Sequence, residues 1–253
     1  MTRVIKVGGR PQSDAALPAT IAAAARRNGG LVVVHGGGDE VSTLQRALGG
    51  STRFVNGRRV TTAKDIDIVR MALSGSANKR LVAALIDAGA EAVGLSGEDA
   101  GLLAATPMDP DQLGFVGAPS TVNVRFLKHL MSGGFLPVIS PVSRDASGTM
   151  GNALNVNGDD AAAAIAVAIA ADELLLVSDV EGVMSDGAVV PWLTPSEARQ
   201  LMANGTAAGG MQAKLQAGLA ALAGGVARVR VSDIRAIDDL SRGTVLRASG
   251  EQS

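Results

Sequence analysis

The stretch "VIKVGGR", residues 4–10, places a lysine inside a short apolar run and ends that run on a pair of glycines. Further along, "LVVVHGGGDEV" (31–41) ends a second apolar run on a glycine cluster. Each run is typical of a buried strand, and glycine-rich turns before a helix offer backbone N–H groups to an anion. The two stretches therefore predict a site where Lys6 and bare backbone approach something negatively charged.

The rest of the chain repeats this order, because apolar runs alternate with helical patterns throughout. Such alternation predicts an α/β fold with a mostly parallel sheet and helices on both faces, in which ligands bind at the carboxyl ends of the strands. Both glycine clusters lie at such ends. The predicted strands are 3–7, 31–35, 91–95, 136–140, 174–178 and 226–232, and the predicted helices are 14–28, 38–48, 63–88, 120–133, 159–171, 195–204 and 210–224.

Two polar segments interrupt the alternation. "STRFVNGRRVT" (51–61) contains the hairpin signal Asn56-Gly57, and "GTMGNALNVNGDD" (148–160) is predicted to be a small hairpin before an alanine-rich helix. Neither is expected to add much to a core, so both are candidates to cover a substrate. The absence of repeats and linkers predicts one domain over 1–253, with a functional boundary near residue 170.

Composition excludes several classes of protein. The 253 residues are 47% hydrophobic but only 2% aromatic and carry a net charge of −1, so we expect no nucleic-acid partner. The lack of cysteine excludes disulfides, a thiolate nucleophile and a cysteine zinc site, and two histidines are too few for a histidine-rich metal centre. There is no signal-peptide pattern, and the apolar segment 161–171 is too short for a bilayer, so we expect a cytoplasmic protein without a membrane partner.

Five charged residues are candidates for chemistry, each with a structural alternative. Lys6 must reach an anion or polar cavity, or else extend to the surface from an edge strand. Lys214 lies early in a predicted helix, where cations are not favoured, unless it is simply an exposed lysine. Asp159 could cap its helix or hold both lysines. Either Arg58 or Arg59 could clamp a carboxylate. No Walker A or G-x-G-x-x-G spacing occurs, which disfavours an ordinary P-loop ATPase or Rossmann dehydrogenase.

Ten short motifs from residue 4 to about residue 247 carry a resemblance. They look like the successive motifs of the N-acetylglutamate kinases, which belong to the amino acid kinase family, in that family's order and spacing. The motifs are "IKVGGR", "VVVHGGGDEV", "VNGRRVT", "ALSGSANKRLV", "AVGLSGEDA", "LGFVGAPSTVN", "GFLPVISPV", "NALNVNGDDAAAAIA", "LLLVSDVEGVM" and "GGMQAKLQAGLAA".

The resemblance implies a fold and a reaction. The fold would be an open three-layer α/β/α sandwich, with residues 1–169 binding the substrate and forming a dimer and residues 170–253 binding the nucleotide. The reaction would transfer the γ-phosphoryl group of ATP, with Mg²⁺, to the side-chain carboxylate of N-acetyl-L-glutamate. The product would be an acyl phosphate of arginine biosynthesis.

The resemblance also assigns roles to residues. Lys6 and Lys214 would stabilise the transferring phosphoryl group, and Asp159 would orient both lysines. The residues implied at the substrate are Gly37, Gly38, Arg59 and Asn155. The residues implied at the nucleotide are Gly8, Gly9, Asp179, Val180, Glu181, Gly182, Val183, Met184, Thr206, Ala207 and Ala208, although "SDVEGVM" (178–184) would also suit a plain strand–turn.

Three positions depart from the family pattern, and they bear on nucleotide preference and rate. Gly158 stands where many relatives have alanine, Arg10 follows the first glycine pair, and "AAGGM" replaces "TDGM" or "TGGM" with Thr206 further upstream. The chain starts at its first strand, whereas arginine-inhibited relatives carry an extra N-terminal helix. We therefore expect a homodimer that is insensitive to arginine, with 63–88 as either a dimer element or ordinary core.

Other functions remain open from the sequence. One is a sister kinase that acts on carrier-protein-linked aminoadipate or glutamate in lysine or arginine synthesis, although "NGRRVT" favours the free acetylated amino acid. Another is a metabolite-binding regulator that has lost catalysis, against which intact Lys6, Asp159 and Lys214 argue. A uridylate or carbamate kinase relative has no support from the predicted hairpin in 51–61.

Overall fold

The computed structural model describes residues 1–27, 30–55, 57–151, 153–185 and 187–247. Within these ranges the strands are β1 Thr2–Val7, β2 Gly30–His35, β3 Phe54–Val55, β4 Arg58–Arg59, β5 Ala92–Ser96, β6 Leu103–Pro107, β7 Val116–Val122, β8 Leu136–Ser140, β9 Val142–Asp145, β10 Ala153–Val156, β11 Glu173–Val177, β12 Met184–Ser185, β13 Ala188–Val189, β14 Trp192–Leu193, β15 Arg228–Ser232 and β16 Thr244–Leu246. The α-helices are α1 Leu17–Arg27, α2 Gly38–Ala47, α3 Ala63–Val69, α4 Asn78–Asp87, α5 Pro110–Leu113, α6 Val124–Ser132, α7 Gly158–Ala168, α8 Pro195–Ala203 and α9 Gly209–Ala223.

Eight strands form the central sheet, in the order β14-β16-β15-β11-β1-β2-β8-β5. The pairs from β15 to β5 are parallel, and only β16 runs antiparallel to its neighbour β15. The predicted mostly parallel open sheet is therefore confirmed. β1 and β2 lie side by side in its middle, so their carboxyl ends are neighbours.

Alternate residues of the central strands pack into two separate cores, one on each face of the sheet. Val4 and Val32 belong to the core that α7 and α9 cover. Ile5 and Val33 belong to the core that α1 and α4 cover. This is the three-layer arrangement that the sequence predicts. Because side chains alternate along a strand, Lys6 points to the same face as Val4, toward α7 and α9.

Four strands close into a small barrel, in the order β10-β7-β6-β9. Three of them, β6, β7 and β9, lie outside the strands and hairpins that the sequence predicts. The predicted helix 120–133 begins too early, because the chain remains in β7 to Val122. The helix begins after Asn123, whose side chain accepts a hydrogen bond from the N–H of Phe126 at 3.1 Å. β7 contains small and polar residues with no strong alternation, which is why its strand character was missed.

The second predicted hairpin contributes more to the core than expected. β10 pairs with β9 in antiparallel register, so 148–160 does include one arm of a hairpin. Leu154 and Val156, however, are buried in the core beneath α7. The expectation that this segment adds little to the core was therefore wrong. Asn152 lies outside the described residues.

The first predicted hairpin is formed by β3 and β4, which pair Phe54 with Arg59. We call residues 54–59 the substrate hairpin. Asn56, part of the predicted turn, lies outside the described residues. The expectation that this hairpin adds little to the core is confirmed for Phe54, which is 55% exposed.

The predicted helix 63–88 consists of three segments, since a π-helix, Arg70–Ala77, separates α3 from α4. Turns of this kind are rare and occur often at functional sites. Here the π-helix presses Leu73 against the glycine end of β2. Gly37 has φ +153°, and a Cβ on it would lie 2.7 Å from Cδ2 of Leu73, so only glycine fits.

An arginine–glutamate–arginine cluster is buried in the central sheet, away from the glycine-rich ends of β1 and β2. Glu173 accepts from Nε of Arg3 and from Nε of Arg230, each at 2.6 Å. The guanidinium of Arg230 also donates to three backbone carbonyls, which allows a fully buried arginine in an interior strand. The cluster joins β1, β11 and β15.

None of the helices in the described part of the chain is long and apolar enough to cross a membrane.

We expect Glu173→Gln to lower the free energy of unfolding by about 3 kcal/mol, because it leaves two buried guanidinium groups without a counter-ion. The measurement is urea denaturation followed by circular dichroism. Asp238→Asn is the control, since it breaks the exposed Arg27–Asp238 pair and should cost no more than about 1 kcal/mol. Equal losses for the two variants would show that the buried cluster does not stabilise the sheet.

Candidate active site

Two lysines from different elements meet at one carboxylate. Nζ of Lys6, near the end of β1, lies 2.9 Å from Oδ1 of Asp159, in the first turn of α7. Nζ of Lys214, in α9, lies 3.3 Å from the same oxygen. All three side chains are more than nine-tenths buried. Neither lysine extends to the open surface, and together the three groups carry one excess positive charge.

Asp159 is available to the lysines because another residue caps its helix. Asn157 is the N-cap of α7, and its side-chain oxygen accepts from the N–H of Asp159 at 2.8 Å. The capping alternative for Asp159 is therefore wrong. The carboxylate of Asp159 faces the carboxyl end of β1 instead.

Burial and neighbouring charges together shift the pKa values of Asp159 and Lys214. Burial alone would raise the pKa of Asp159, but the positive charges of Lys6 and Lys214 outweigh it and hold that pKa below its usual value. Burial, together with repulsion from Lys6, lowers the pKa of Lys214 to about 8. Asp159 partly opposes that shift. A further anion nearby would stabilise the charged form of this buried ammonium group.

The glycine ends of β1 and β2 face each other beside the lysines. The N–H of Gly36 donates to the carbonyl of Val7 at 2.9 Å. The side-chain amide of Gln12 ties the two ends together by donating to the carbonyls of Gly8 at 3.1 Å and Gly36 at 2.9 Å. A Cβ on Gly9 would lie 4.0 Å from the N–H nitrogen of Gly38, so no side chain separates the two backbones.

His35 is a structural histidine behind this turn. It is fully buried, and burial lowers its pKa below the usual value, so the ring is neutral. Its Nδ1–H donates to the carbonyl of Gly36 at 2.8 Å, and Nε2 accepts from the amide of Asn78 at 3.0 Å. These bonds hold the glycine end of β2 in place.

A cavity of about 310 Å³ opens on one side of Lys6. Its walls come from the glycine end of β2, α2, the substrate hairpin, the π-helix and β10. The four residues predicted to bind the substrate all line it: Gly37, Gly38, Arg59 and Asn155. Arg58 lines it as well, so both arginines of "NGRRVT" reach the cavity.

Arg59 is held by neutral acceptors. Its Nη2 donates to the carbonyl of Gly38 at 2.7 Å and to the hydroxyl of Ser42 at 2.8 Å, and the ring of Phe54 lies 4.9 Å from the guanidinium carbon. Burial lowers the pKa of Arg59, which the charges of Asp65 and Asp39 only partly offset. No carboxylate within the described ranges forms a salt bridge with it. The guanidinium of Arg59 is therefore held in one orientation, and its positive charge is available to a ligand.

A second cavity, of about 660 Å³, opens on the other side of Lys6. Gly8, Gly9, Asp179 and Val180 line it, as predicted for the nucleotide, and so does Lys214. Lys6 and Asp159 line both cavities. Two ligands could therefore lie on either side of Lys6 with their ends close to its ammonium group.

Seven residues predicted for the nucleotide do not line this cavity. Glu181 pairs with Arg235 at 2.5 Å, Met184 is in the small β12–β13 hairpin, and Ala207 is buried. The N–H of Val183 donates to Thr244. The seven predicted residues that do not line the cavity are Glu181, Gly182, Val183, Met184, Thr206, Ala207 and Ala208.

The structure adds lining residues that the sequence reasoning did not assign. Gly209, Gly210 and Met211 form the first turn of α9 at the second cavity, where no side chain caps the helix. Free N–H groups and the helix dipole favour an anion there. The glycine pair before Lys214 was the available signal in the sequence.

Two of the departures noted above also lie at these cavities. Arg10 lines the second cavity and pairs with Asp179 across 2.7 Å. At Gly158 a Cβ would lie 3.3 Å from Cε of Lys6, which is a tight contact. Glycine at this position gives the lysine more room than alanine would.

Comparison with known proteins adds independent findings. The profile of the amino acid kinase family matches residues 1–233. A protein named acetylglutamate kinase from Roseiflexus castenholzii is 43% identical over 253 residues, covering 99% of this chain and 95% of that protein. One of the same name from Cereibacter sphaeroides is 44% identical, covering 97% of this chain and 87% of that protein.

Solved structures resemble the fold over its whole length. A crystal structure of a Streptococcus mutans protein superposes with a TM-score of 0.85 at 28% identity, covering 97% of this chain and 98% of that one. N-acetylglutamate synthase from Neisseria gonorrhoeae, complexed with coenzyme A and N-acetyl-glutamate, gives 0.82 at 24% identity and covers 100% of this chain and 60% of that one. Carbamate kinase from Giardia lamblia, bound to citric acid, gives 0.70 at 17% identity and covers 98% of each chain. The last two likenesses show the fold alone.

We expect the affinity for ATP, the ligand predicted for the second cavity, to fall about 10-fold between pH 7 and pH 9.5. The pKa of Lys214 is about 8, so its ammonium is charged below that pH and loses its attraction for phosphate above it. The measurement is isothermal titration calorimetry. Lys214→Met should bind ATP weakly and with little pH dependence, whereas Lys128→Met, at an exposed lysine of α6, should behave as wild type. A pH dependence unchanged in Lys214→Met would contradict the assignment.

Proposed function

The chain belongs to the amino acid kinase family, and we propose that it catalyses the acetylglutamate kinase reaction. In this reaction the γ-phosphoryl group of ATP is transferred to the side-chain carboxylate of N-acetyl-L-glutamate, a step of arginine biosynthesis. Curated relatives of that name share 43–44% identity over nearly the whole chain. The observation that carries the proposal is that Lys6, paired with Asp159, stands between two adjoining cavities.

The chemistry of the reaction matches the charges at this junction. A carboxylate nucleophile is already ionised, so no general base is needed, and the obstacle is repulsion between two anions. Phosphoryl transfer then depends on alignment and on neutralising charge at the transferred group. We propose that Lys6 and Lys214 supply that charge and that Asp159 fixes both ammonium groups in advance of the reaction.

We propose that the smaller cavity holds N-acetyl-L-glutamate. Arg59 would bind the α-carboxylate through its planar fork, since its guanidinium is already oriented by neutral acceptors. The N–H groups of Gly37 and Gly38 would face the reacting carboxylate and the transferred group. Asn155, whose amide donates to Thr61 at 3.0 Å, would supply another polar contact.

We propose that the larger cavity holds ATP, with the phosphates against Gly8, Gly9 and the uncapped start of α9. We further propose that residues 1–169, which also contribute Gly8 and Gly9 to the phosphates, bind the substrate and that residues 170–253 bind most of the nucleotide. The segments 179–184 and 206–208 remain proposed for the nucleotide, beyond the residues that line the cavity. Arg10, one of the three departures from the family pattern, lines this cavity, so we expect it to alter nucleotide preference.

The proposed Mg²⁺ would be held by the phosphates of ATP. The acidic residues that line the two cavities are Asp39, Asp159 and Asp179, on three different elements. In the described ranges no group of three or more acidic or histidine side chains could hold a metal ion. When bound, Mg²⁺ would offset phosphate charge, and the protein's own part is the positioning of the lysines.

We further propose that the protein acts as a cytoplasmic homodimer. In the predicted dimer element, Ile66 and Val69 pack into the protein's own core, whereas Met71 and Ile86 are about half exposed. Those two exposed apolar side chains would suit a contact with a second copy. Most of the "IDIVRMAL" stripe is therefore ordinary core.

The sister-kinase and regulator alternatives lead to different outcomes in one assay. A carrier-linked kinase would not turn over the free acid, and a regulator would bind nucleotide without turnover. The assay is ATP-dependent acyl hydroxamate formation with N-acetyl-L-glutamate, glutamate, N-succinylglutamate and aminoadipate.

We expect turnover on N-acetyl-L-glutamate and a loss of about 10²–10³-fold in kcat for Lys6→Ala, comparable to the loss of a donor that stabilises a transition-state charge. Lys128→Met should retain wild-type kcat, which separates the effect from a general loss of charge. Turnover on a different acid, still dependent on Lys6, would keep the mechanism and change the substrate. ATP binding without turnover on any acid would contradict the proposed function.

A further inference from the structure

The substrate hairpin spans the smaller cavity by means of two adjacent arginines that reach opposite walls. Arg59 donates to the carbonyl of Gly38 in α2. Arg58 forms an ion pair with Asp160 of α7, with Nη1 2.8 Å from Oδ2. Both arginines line the cavity, whereas Asp160 is not among its described lining residues. The hairpin is thus fastened to both sides of the cavity.

Side-chain contacts of the two arginines provide most of the hairpin's attachment, since Arg59 also donates to Gln45 at 3.1 Å and to Ser42 at 2.8 Å. β3 and β4 are two residues each and, in the described chain, pair only with one another. Phe54 is 55% exposed and packs on Arg59 rather than into a core. An isolated two-stranded hairpin is marginally stable at best. The hairpin therefore depends on contacts of its side chains with the cavity walls.

The Arg58–Asp160 pair is better placed than a surface salt bridge. Its side chains are 24% and 21% exposed, compared with 59% and 45% for Arg27 and Asp238. Reduced solvent screening strengthens such a pair. Burial raises the pKa of Asp160, and the charge and hydrogen bond of Arg58 only partly offset that rise, so the ionised carboxylate depends on Arg58. Asp160 also directly follows Asp159, so the pair links the hairpin to the helix turn that carries the carboxylate between the lysines.

We propose that Arg58 and Asp160 are positioning residues, whose ion pair holds the substrate hairpin closed and keeps Arg59 directed into the smaller cavity. The effect on kinetics rests on the proposed function, since it concerns the affinity for the acid substrate. Neither residue lines the larger cavity, although Phe54 and Gly57 of the hairpin line both cavities. Loss of the pair should therefore act mainly on the acid substrate, which Arg59 would bind, and to a smaller extent on ATP.

The kinetic test is a double-mutant cycle of Arg58→Met and Asp160→Asn. Each single variant should raise the KM for N-acetyl-L-glutamate about 5- to 10-fold, with kcat and the KM for ATP changed less than about 2-fold. The double variant should be no worse than either single one, because both remove the same interaction. An increase for Arg58→Met with none for Asp160→Asn would overturn the proposal, since Arg58 would then act on the substrate by itself.

A second measurement does not depend on the substrate. Hydrogen exchange of residues 53–60, followed by mass spectrometry without ligands, should be several-fold faster in Asp160→Asn than in wild type. The control is Asp238→Asn, which removes an exposed ion pair and should leave this segment unchanged. Unchanged exchange in Asp160→Asn would overturn the proposal. If wild type turns over none of the acids, the proposed function fails, and the exchange result alone decides whether the pair closes the hairpin.

Discussion

The buried cluster of Lys6, Asp159 and Lys214 is the interaction on which the site depends. One carboxylate holds two cations, so the cluster keeps an excess positive charge away from water. Burial and repulsion from Lys6 make that charge costly and lower the pKa of Lys214 to about 8. We propose that a bound phosphate would offset this cost, so that the cluster attracts a phosphoryl group.

The order of the sheet makes this cluster possible. Because β1 lies between β11 and β2, its carboxyl end adjoins the glycine end of β2 and the strand end that precedes Asp179. α7 and α9 cover the face to which Lys6 points, so Asp159 and Lys214 approach it from the same side. At the other end of these strands, the buried ion pairs of Glu173 with two arginines join β1, β11 and β15. The strands are thus tied together at the end opposite to the glycine-rich turns that form the site.

Elements with strong hydrophobic periodicity and residues with unusual chemistry were predictable from the sequence. The central strands and the glycine ends belong to this group. The meeting of Lys6 with Asp159 was one of two alternatives left open by the residues, and the family resemblance implied it. The barrel strand β7 was missed because its small and polar residues carry no clear period, and its packing comes from partners distant in the chain. The π-helix and the pairing of Arg58 with Asp160 were not predictable either, since each depends on tertiary contacts. Ten family motifs gave residue roles that periodicity could not.

We propose that Lys214 attracts ATP by its charge, whereas Asp159 acts mainly in the transition state, by orienting Lys6 and Lys214 toward the transferring phosphoryl group. The most direct measurement is the affinity of Asp159→Asn for ADP with aluminium fluoride and N-acetyl-L-glutamate, a mimic of the transition state, compared with its affinity for ATP alone. We predict a loss of about 100-fold or more for the mimic, while ATP binds within about 5-fold of wild type. Equal losses for both ligands, or no loss for the mimic, would contradict this account.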